Sequence, residues 1–307
     1  MPLLSRTARF YLRYGPSFSR IGFRLRGLRA PTRHRSLAGR TILVTGATRG
    51  IGRAIAGDAA ASGARVLAVG LDHDDAPAAP ATAVPGAISG LRHDLALAAE
   101  VEALIDAVAA QGTPIAALVN NVGVLRGRYR ATPEGLDAMY AVNLLNPYRL
   151  TEGLIARGLF DDAATIVNMA SGGLYTVAQN LDHLEQSPQA FDGVTGYASH
   201  KRALIALSDA WTGRQPGLRA YTMHPGWVDT PGVRRSMPAF AARLRPFFRS
   251  ASEGADTALW LVATRPEPRP GALWFDRRPR PAHAFADTQR EQATAAQVLD
   301  KLARDLA

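Results

Sequence analysis

The sequence predicts an α/β fold in which a doubly wound, mostly parallel sheet of about seven strands carries helices on both faces. Short apolar segments, many of them rich in β-branched residues, alternate with longer segments of helical periodicity from residue 41 onward. A glycine-rich turn joins the first strand to the first helix, and polar residues follow several later strands. Ligands of such folds bind at the carboxyl ends of the strands. We therefore expect the functional residues at that edge of the sheet.

The chain of 307 residues is 47% hydrophobic, which is enough for one sizeable core. We expect a basic N-terminal arm at 1–38, a main domain at 39–276, and a Pro/Arg-rich connector with a terminal helix at 277–307. The chain has no cysteine, so it can form neither disulfides nor thiolate metal sites. This composition is compatible with a reducing compartment, and we expect a cytoplasmic protein.

The formal net charge of +10 is concentrated in the arm. Residues 1–40 contain ten arginines and no acidic residue, so the remaining 26 basic and 26 acidic residues cancel. A nucleic-acid-binding domain would need a basic surface, and we therefore expect no nucleic-acid partner. The seven histidines show no metal-ligand spacing, and no metal site is expected.

The arm has helical spacing, with one mostly apolar face surrounded by arginines. That face comprises Leu4, Thr7, Tyr11, Tyr14, Phe18, Ile21, Leu25 and Leu28. Such a segment can lie on an anionic membrane surface or pack on the protein's own body, and a transit peptide would look similar. No apolar run is long enough for a transmembrane helix. The protein would then be at most peripheral to a membrane.

Each predicted element follows from local pattern. Apolar runs predict strands at 41–45, 65–70, 91–94, 115–120, 165–170, 218–224 and 272–275. Helical periodicity predicts helices at 53–61, 98–111 and 288–306. The terminal helix could pack on the body or on a second subunit, and a homo-oligomer is therefore open.

The turn after the first strand contains Gly46, Gly50 and Gly52. A strand that runs through a glycine-rich turn into a helix brings backbone N–H groups and the positive end of the helix dipole to a pyrophosphate. The absence of Cβ atoms allows close approach of the phosphates. The spacing is G-x3-G-x-G, which differs from the G-x-G-x-x-G of many dinucleotide sites. It therefore predicts a dinucleotide cofactor only together with other features.

The end of the second strand indicates which dinucleotide binds. NAD-selective folds usually place an acid there to bind the ribose hydroxyls. Here the strand ends in Gly70 and Leu71, and Asp72 and Asp74 come slightly later. Arg49 in the glycine turn can instead meet a 2′-phosphate with its guanidinium group. We expect NADP, with NAD as the alternative cofactor.

Polar or glycine-bearing segments also follow the third and fourth strands. Asp94-Leu95 follows the third, and an aspartate there can accept a hydrogen bond from an adenine amino group. Asn120, Asn121 and Gly123 follow the fourth, where asparagine and glycine in a tight loop can pin strands together beside a cofactor. Ordinary turn chemistry would also explain these residues.

Tyr197 and Lys201 lie four residues apart on a predicted helix, and Ser171 ends the fifth strand. An adjacent ammonium favours the phenolate form of tyrosine and lowers its pKa. Such a phenol can donate a proton to a carbonyl oxygen while hydride reaches the carbon, and a serine hydroxyl can hold that oxygen. Lys201 is one of only two lysines among the 36 basic residues, so its presence beside this tyrosine is notable.

From about Gly39 to Phe275 the chain resembles the short-chain dehydrogenase/reductase family, which has a Rossmann-type fold. The matching segments are TGATRGIG at 45–52, DL at 94–95, NNVG at 120–123, Asn143, Ser171, YASHK at 197–201 and HPGWVDT at 224–230. The resemblance implies that Tyr197 is the acid/base, that Lys201 binds the ribose and lowers the tyrosine pKa, and that Ser171 orients the carbonyl. It also implies that Asn143 positions a proton-relay water and that residues 225–230 border the nicotinamide.

These arguments and the resemblance together yield the candidate cofactor contacts. They are Gly46, Thr48, Arg49, Gly50, Ile51, Gly52, Asp94, Leu95, Asn121, Gly123, Tyr197, Lys201, Pro225, Gly226, Val228 and Thr230. Ser171 and Tyr197 are 26 residues apart, about twice the usual family interval, and the extra segment should form a loop or lid. That segment and MHPGWVDTPGVRRSMPAF at 223–240 most resemble the subgroup typified by dehydrogenase/reductase member twelve.

An apolar group of residues after the sixth strand could form the substrate wall. It comprises Trp227, Val233, Met237, Phe240, Phe247 and Phe248. Ordinary core packing would also explain them. The leading expectation is an oxidoreductase acting on an apolar carbonyl/alcohol substrate. The alternatives are a nicotinamide-binding sensor or scaffold with little turnover, and a peripheral membrane module in which the arm is the main functional surface.

Overall fold

The computed structural model describes residue 10 and residues 13–30, 36–71 and 87–306 of the chain. Eight strands form one sheet in the order β3-β2-β1-β4-β5-β6-β7-β8. They are β1 Thr41–Thr45, β2 Arg65–Gly70, β3 Ile88–Arg92, β4 Ile115–Asn120, β5 Phe160–Met169, β6 Arg219–Met223, β7 Ala272–Phe275 and β8 Arg278–Pro281. All neighbouring pairs are parallel except β7 and β8. The doubly wound, mostly parallel α/β prediction is confirmed.

The helices that we label are α1 Arg20–Leu25, α2 Gly50–Ala61, α3 Ala98–Ala109, α4 Asn146–Ala156, α5 Gly193–Trp211, α6 Pro231–Ser236, α7 Pro238–Leu244, α8 Ala251–Thr264 and α9 Ala295–Leu306. Successive side chains of a strand point to opposite faces of a sheet. Accordingly Ile42 and Val44 pack under α2 and α8, whereas Leu43 packs in the core under α3, α4 and α5. Buried cores on both faces explain why the strands read as continuous apolar runs.

The predicted strands agree with the structure at their centres and differ at some ends. β1, β2, β4 and β7 have the predicted bounds. β3 lies three residues earlier at its start than expected, and β5 begins at Phe160 rather than at residue 165. The first part of β5 is partly exposed, so it lacks the apolar run on which the prediction depended.

The eighth strand was not predicted, because residues 277–283 look like a Pro/Arg-rich connector. Asp276 and Arg277 both have positive φ, at 50° and 60°, and they form the tight turn from which β8 pairs back on β7. β8 is an edge strand, where proline is tolerated because no further strand needs its missing N–H group. Part of the expected connector is therefore part of the sheet.

The described part of the arm packs on the protein body, which was one of the two alternatives. Phe18 and Phe23 are buried, whereas Ile21 and Leu25 are 49% and 83% exposed. The ring of Phe18 lies 4.6 Å from that of His224 and 5.3 Å from that of Phe275. Only part of the predicted apolar face of the arm therefore packs on the body, and the part that contains Ile21 and Leu25 is exposed to solvent.

A buried arginine holds the arm in place. Arg249 is 1% exposed, and its guanidinium group donates to the carbonyls of Phe18 and Ser17, each at 3.0 Å. It also donates to Asp276 at 2.6 Å. The Asp276 carboxylate also accepts a hydrogen bond from Arg26 of the arm at 2.7 Å. These bonds satisfy backbone carbonyls of the arm that its helices leave unpaired.

The terminal helix also packs on the body. It begins at residue 295 rather than at the predicted 288, and a short 3-10 helix, Ala286–Gln289, precedes it. Val298 and Leu302 of α9 are buried in the same core as α5. Within the described residues no helix combines the length and apolar character needed to cross a bilayer.

Candidate active site

The glycine turn between β1 and α2 leaves room at the end of the sheet for a ligand. Gly46 and Gly50 have φ of +64° and +58°, a region that favours glycine. A Cβ atom on Gly52 would lie 2.1 Å from the Gly46 carbonyl oxygen, so no other residue fits there without a shift. The turn therefore exposes bare backbone at a helix N-terminus, as a pyrophosphate site requires.

Asn121 fastens this turn to the neighbouring strand β4. Its side-chain amide donates to the carbonyls of Thr45 and Gly46 at 2.9 and 3.1 Å. Its backbone N–H group donates to the Thr45 hydroxyl at 3.0 Å. Asn121 therefore holds the glycine turn against the end of β4, as its position after that strand led us to expect.

The end of β2 has little room for an additional side chain. A Cβ atom on Gly70 would lie 2.2 Å from the methyl group of Thr48. Arg49 is exposed at the start of α2 and makes no ion pair with the described part of the chain. Asp72 and Asp74 lie outside the described residues. Within the described residues the Arg49 guanidinium group is thus exposed and has no acidic partner.

Two residues after β3, Asp94 and Leu95, already make hydrogen bonds within the protein. Asp94 accepts a hydrogen bond from the backbone of Ala96 at 2.9 Å. Leu95 is buried, and its carbonyl accepts from the Asn146 side chain at 3.0 Å. Asp94 therefore follows β3 with one carboxylate oxygen already bonded to the backbone of Ala96. The backbone of Leu95 is held by Asn146 at the start of α4.

Ser171, Tyr197 and Lys201 come together at the end of β5 and the first turns of α5. Asp192 caps α5 by accepting from the backbone of Val194 at 3.0 Å, which fixes the start of the helix two turns before Lys201. The Ser171 side chain hydrogen-bonds the Tyr197 phenol. The Lys201 ammonium lies 5.7 Å from the Tyr197 ring centroid. The three residues expected from sequence are therefore neighbours in space.

Burial dominates the electrostatics of this group. Burial raises the pKa of Tyr197, and the hydrogen bond from Ser171 opposes that rise. Burial lowers the pKa of Lys201 to about 8. The sequence argument expected the ammonium to lower the tyrosine pKa, but at the observed separation burial is the larger effect. A phenol that stays protonated is the form needed to donate a proton to a carbonyl oxygen.

Lys201 is only 3% exposed as a residue, and its ammonium makes no hydrogen bond or ion pair with the described part of the chain. A buried ammonium without hydrogen-bond acceptors is costly. A Cβ atom on Gly123 would lie 3.2 Å from this nitrogen, so glycine keeps the space beside it open. A ribose with two hydroxyl groups fits this unpartnered cation and the open space.

Asn143 lies in the middle of a π-helical turn, Ala141–Leu145, that precedes α4. Single π turns inside helices frequently occur at functional sites. The Asn143 side chain pairs with the backbone of Val124, donating to its carbonyl and accepting from its N–H group, both at 2.8 Å. The two bonds fix the orientation of the amide, because only one orientation satisfies both.

His200 is a neighbour of Asn143 that sequence reasoning missed. No role was expected for it from the sequence, but in the structure its side chain is fully buried. Its Nε2 atom lies 2.5 Å from the Leu184 carbonyl, and its Nδ1 atom lies 3.4 Å from the Asn143 amide nitrogen. Burial lowers the pKa of His200 to about 4. No sequence signal distinguishes this histidine from the others.

The loop at 225–230 faces the glycine turn. The Thr230 methyl group would lie 3.4 Å from a Cβ atom on Gly50, so these two segments nearly touch. The Thr230 hydroxyl caps α6 by accepting from Val233 at 3.2 Å. Gly226 has φ of +81°, and a Cβ atom there would lie 2.4 Å from Arg249. Its conformation therefore serves the packing of the arm as well as the site.

Other candidate contacts in this region are occupied by packing. A Cβ atom on Gly254 would lie 2.6 Å from a methyl group of Val228, so the Val228 side chain packs towards α8. Ile51 packs in the same place. The Pro225 carbonyl accepts a long bond from Arg249 at 3.4 Å. The Val228 side chain is thus buried by packing, whereas Ile51 stays half-buried.

The predicted apolar wall divides into two groups. The rings of Trp227 and Phe240 pack edge to face at 5.3 Å, and Phe248 packs on Phe240 at the same distance. Met237 and Phe247 are instead 37% and 46% exposed. Mutual packing explains the first group, and the second lies on the surface.

The segment between Ser171 and Tyr197 is held by a hydrogen bond within itself and by a contact with α9. It contains two short 3-10 helices, Gly172–Thr176 and Leu181–His183. The Gln186 side chain accepts from the Asp192 backbone N–H at 2.6 Å, and Lys301 of α9 donates to Glu185 at 3.2 Å. The loop expected from its length is thus a fixed part of the structure that begins beside Ser171.

Comparisons with known proteins agree with this architecture. Residues 40–239 match the family described as short chain dehydrogenase. Dehydrogenase/reductase SDR family member 12 of Bos taurus is 36% identical over 276 residues, which cover 87% of both chains. The protein of the same name from Homo sapiens is 32% identical over 280 residues, with 87% of each chain covered. A solved Mycobacterium paratuberculosis structure shares the fold with a TM-score of 0.67, at 23% identity, over 89% of this chain and 95% of that one.

Proposed function

This chain belongs to the short-chain dehydrogenase/reductase family, and on that premise we propose that it is an NADP-dependent oxidoreductase that interconverts a carbonyl and an alcohol. The observation that carries the proposal is the meeting of Ser171, Tyr197 and the unpartnered ammonium of Lys201 beside the glycine turn. A structural role alone would not leave a buried lysine without acceptors.

The cofactor supplies a hydride to the carbonyl carbon or accepts one from the alcohol. In the reducing direction the Tyr197 phenol donates its proton to the carbonyl oxygen as the C–H bond forms. The Ser171 hydroxyl, which bonds the phenol, also holds that oxygen in place. The phenolate that results lies near the Lys201 ammonium, which stabilises its charge. In the oxidising direction the same groups act in reverse.

Asn143 is proposed to assist the return of the proton to Tyr197. Its amide is held by the Val124 backbone, and its oxygen would lie 3.4 Å from a Cβ atom on Gly123, beside the Lys201 nitrogen. A water held in this region could return a proton to Tyr197 after each turnover. The π turn lets the Asn143 backbone depart from regular helix hydrogen bonding at this point.

NADP is the proposed cofactor because Arg49 is exposed and makes no ion pair with the described part of the chain, and because β2 itself ends in Gly70 rather than in an acid. A carboxylate there would repel a 2′-phosphate, whereas a guanidinium group binds it with paired hydrogen bonds. The glycine cradle and the Lys201 ammonium would hold the pyrophosphate and the nicotinamide ribose of either dinucleotide. Arg49 is therefore the residue on which the preference depends.

An apolar substrate is proposed from the apolar segment that follows the loop at 225–230, where Met237 and Phe247 remain partly exposed. The names of relatives include dehydrogenases of an apolar alcohol and of a polar one. Retinol dehydrogenase 12 of Mus musculus is 28% identical over 249 residues, and D-threitol dehydrogenase of Mycolicibacterium smegmatis is 37% identical over 198 residues. A panel of carbonyl compounds graded in chain length tests the proposal, and turnover confined to small polar carbonyls would contradict it.

The decisive test is the substitution Tyr197→Phe, which removes the hydroxyl and keeps the ring. We expect loss of carbonyl reduction by at least about a hundredfold, because the proton donor is gone. NADPH binding, followed by the change in nucleotide fluorescence, should be retained. Loss of binding with the phenol would instead indicate a structural role for Tyr197, and unchanged turnover would exclude it as the acid/base.

A further inference from the structure

We propose that this protein docks reversibly on an anionic lipid bilayer through one face, formed by α1 and by residues 231–248. We call this the docking face. The proposal concerns where the protein binds, and it does not depend on the reaction at Tyr197.

Exposed apolar side chains are concentrated on these two segments. Six large apolar side chains of the described residues are strongly exposed, and four of them belong to the docking face. These are Ile21, Leu25, Met237 and Phe247. Leu25 is 83% exposed, although the opposite side of α1 is buried through Phe23. α1 therefore lies flat on the body with one apolar side packed inward and another turned to solvent.

Positive charge surrounds these apolar side chains. The first acidic residue of the chain is Asp58, so the arm and α1 carry only positive formal charge. A second stretch without acidic residues runs from 230 to 252 and contains five arginines. Arg235 and Arg243 of this stretch are exposed and make no ion pair within the described part of the chain. Each of them is free to meet an external anion.

The two segments adjoin in the structure although they are more than 200 residues apart in sequence. Arg20 of α1 lines one open cleft of about 630 Å³ together with Ala242, Arg245 and Pro246. Two carboxylates border this region, and both are already paired. Asp229 binds Arg234 and Arg245, and Glu253 binds Arg20. The docking face therefore carries excess positive charge that its own acids do not neutralise.

Apolar side chains set among arginines match the interface of an anionic bilayer. Leucine, isoleucine, methionine and phenylalanine side chains can enter the boundary between headgroups and acyl chains, while arginines remain at the level of the phosphates. A nucleic acid would use the arginines but would gain little from Leu25 or Phe247. The requirement for both kinds of side chain distinguishes the two partners.

The docking face includes the helices that follow the loop at 225–230. Trp227 of that loop packs on Phe240 of α7. A bilayer bound at α6 and α7 would therefore contact the same segment that borders the candidate substrate site. Apolar substrates dissolved in the membrane would have a short path to it.

The test is flotation of the full-length protein with vesicles of phosphatidylcholine alone or mixed with phosphatidylserine. We expect binding to the mixed vesicles and little binding to the neutral ones. Leu25→Asp should lower the partition coefficient about tenfold or more, because the leucine no longer inserts. The matched control is Val194→Asp, at a residue that is 71% exposed on α5 and outside the docking face. It should bind as the unaltered protein does.

A second pair of variants tests the charge. Arg235→Gln with Arg243→Gln should weaken binding about fivefold for each arginine, whereas Arg304→Gln on the exposed side of α9 should not. Thermal unfolding checks that every variant is folded. Equal binding to neutral and anionic vesicles, or none to either, would overturn the proposal. Binding that is lost with the arginines but unaffected by Leu25→Asp would also overturn it, since it would indicate contact with polyanions such as nucleic acids.

Discussion

The side-chain nitrogen of Asn143 lies 3.4 Å from Nδ1 of His200, and Nε2 of the same ring lies 2.5 Å from the carbonyl of Leu184. A carbonyl only accepts hydrogen bonds, so the Nε2 atom carries the proton and the Nδ1 atom accepts from Asn143. The lowered pKa of His200, about 4, keeps the ring neutral and preserves this arrangement at neutral pH. His200 therefore links the segment after Ser171 to the amide beside Lys201.

We expect His200 to be a positioning residue. His200→Leu should lower kcat about tenfold through displacement of Asn143, while the dissociation constant for NADPH stays within about twofold. Steady-state kinetics and a nucleotide titration measure the two quantities. Ser199→Ala is the matched control, because Ser199 is fully buried and its hydroxyl has no hydrogen-bond partner among the described residues. A merely structural His200 would lower thermal stability in the variant and leave kcat of the folded fraction unchanged.

Arg49 should determine the choice of dinucleotide. Arg49→Ala should weaken NADPH binding by about 10- to 100-fold, because charge-assisted hydrogen bonds to the 2′-phosphate are lost, and should change NADH binding little. Fluorescence titration with each nucleotide provides the comparison. Arg53→Ala is the control, one turn further along α2 and also exposed. Equal losses for both nucleotides would refute the assignment of NADP preference to Arg49.

Arg249 should hold the arm on the body through its hydrogen bonds to the carbonyls of Ser17 and Phe18. Arg249→Met leaves the carbonyls of Ser17 and Phe18 without this donor, and we expect the free energy of unfolding to fall by about 3–5 kcal/mol. Chemical denaturation measures this change. Arg245→Met, at a more exposed arginine four residues away, should cost less than about 1 kcal/mol. Similar small losses for both variants would show that the arm is held by other contacts.

Two buried histidines should make the protein sensitive to acid. Burial lowers the pKa of His224 to about 3 and that of His200 to about 4. The unfolded chain binds protons at these residues near pH 6.5, whereas the folded chain resists them, so stability falls as the pH drops below 6.5. We expect a loss of about 1.4 kcal/mol per pH unit for each histidine, down to its folded pKa.

Denaturation curves between pH 7 and pH 4 measure this slope. His224→Phe, at a site already packed between Phe18 and Phe275, should remove one histidine's share of the slope. His183→Phe is the comparison, because that histidine is only half-buried. Equal slopes in the unaltered protein and in His224→Phe would contradict the prediction.

Local patterns in the sequence predicted much of the fold. β1, β2, β4 and β7 were identified from apolar runs, since a strand buried on both faces needs apolar side chains at successive positions. The glycine turn and the spacing from Tyr197 to Lys201 were also visible, because a tight turn and a helix face are each set within a few residues. The start of β5 and the whole of β8 were missed because partly exposed or proline-bearing edge segments lack that apolar pattern.

By itself, therefore, the sequence determined the α/β class, the strand order along the chain and the Ser171, Tyr197 and Lys201 group. Only the tertiary structure decided that the arm packs through Phe18 on the loop at 225–230, and that His200 contacts Asn143. Arg249 and Phe18 are 231 residues apart, and His200 and Asn143 are 57 apart. Contacts over such separations depend on how whole helices and strands pack together, and no periodicity within a short window encodes them.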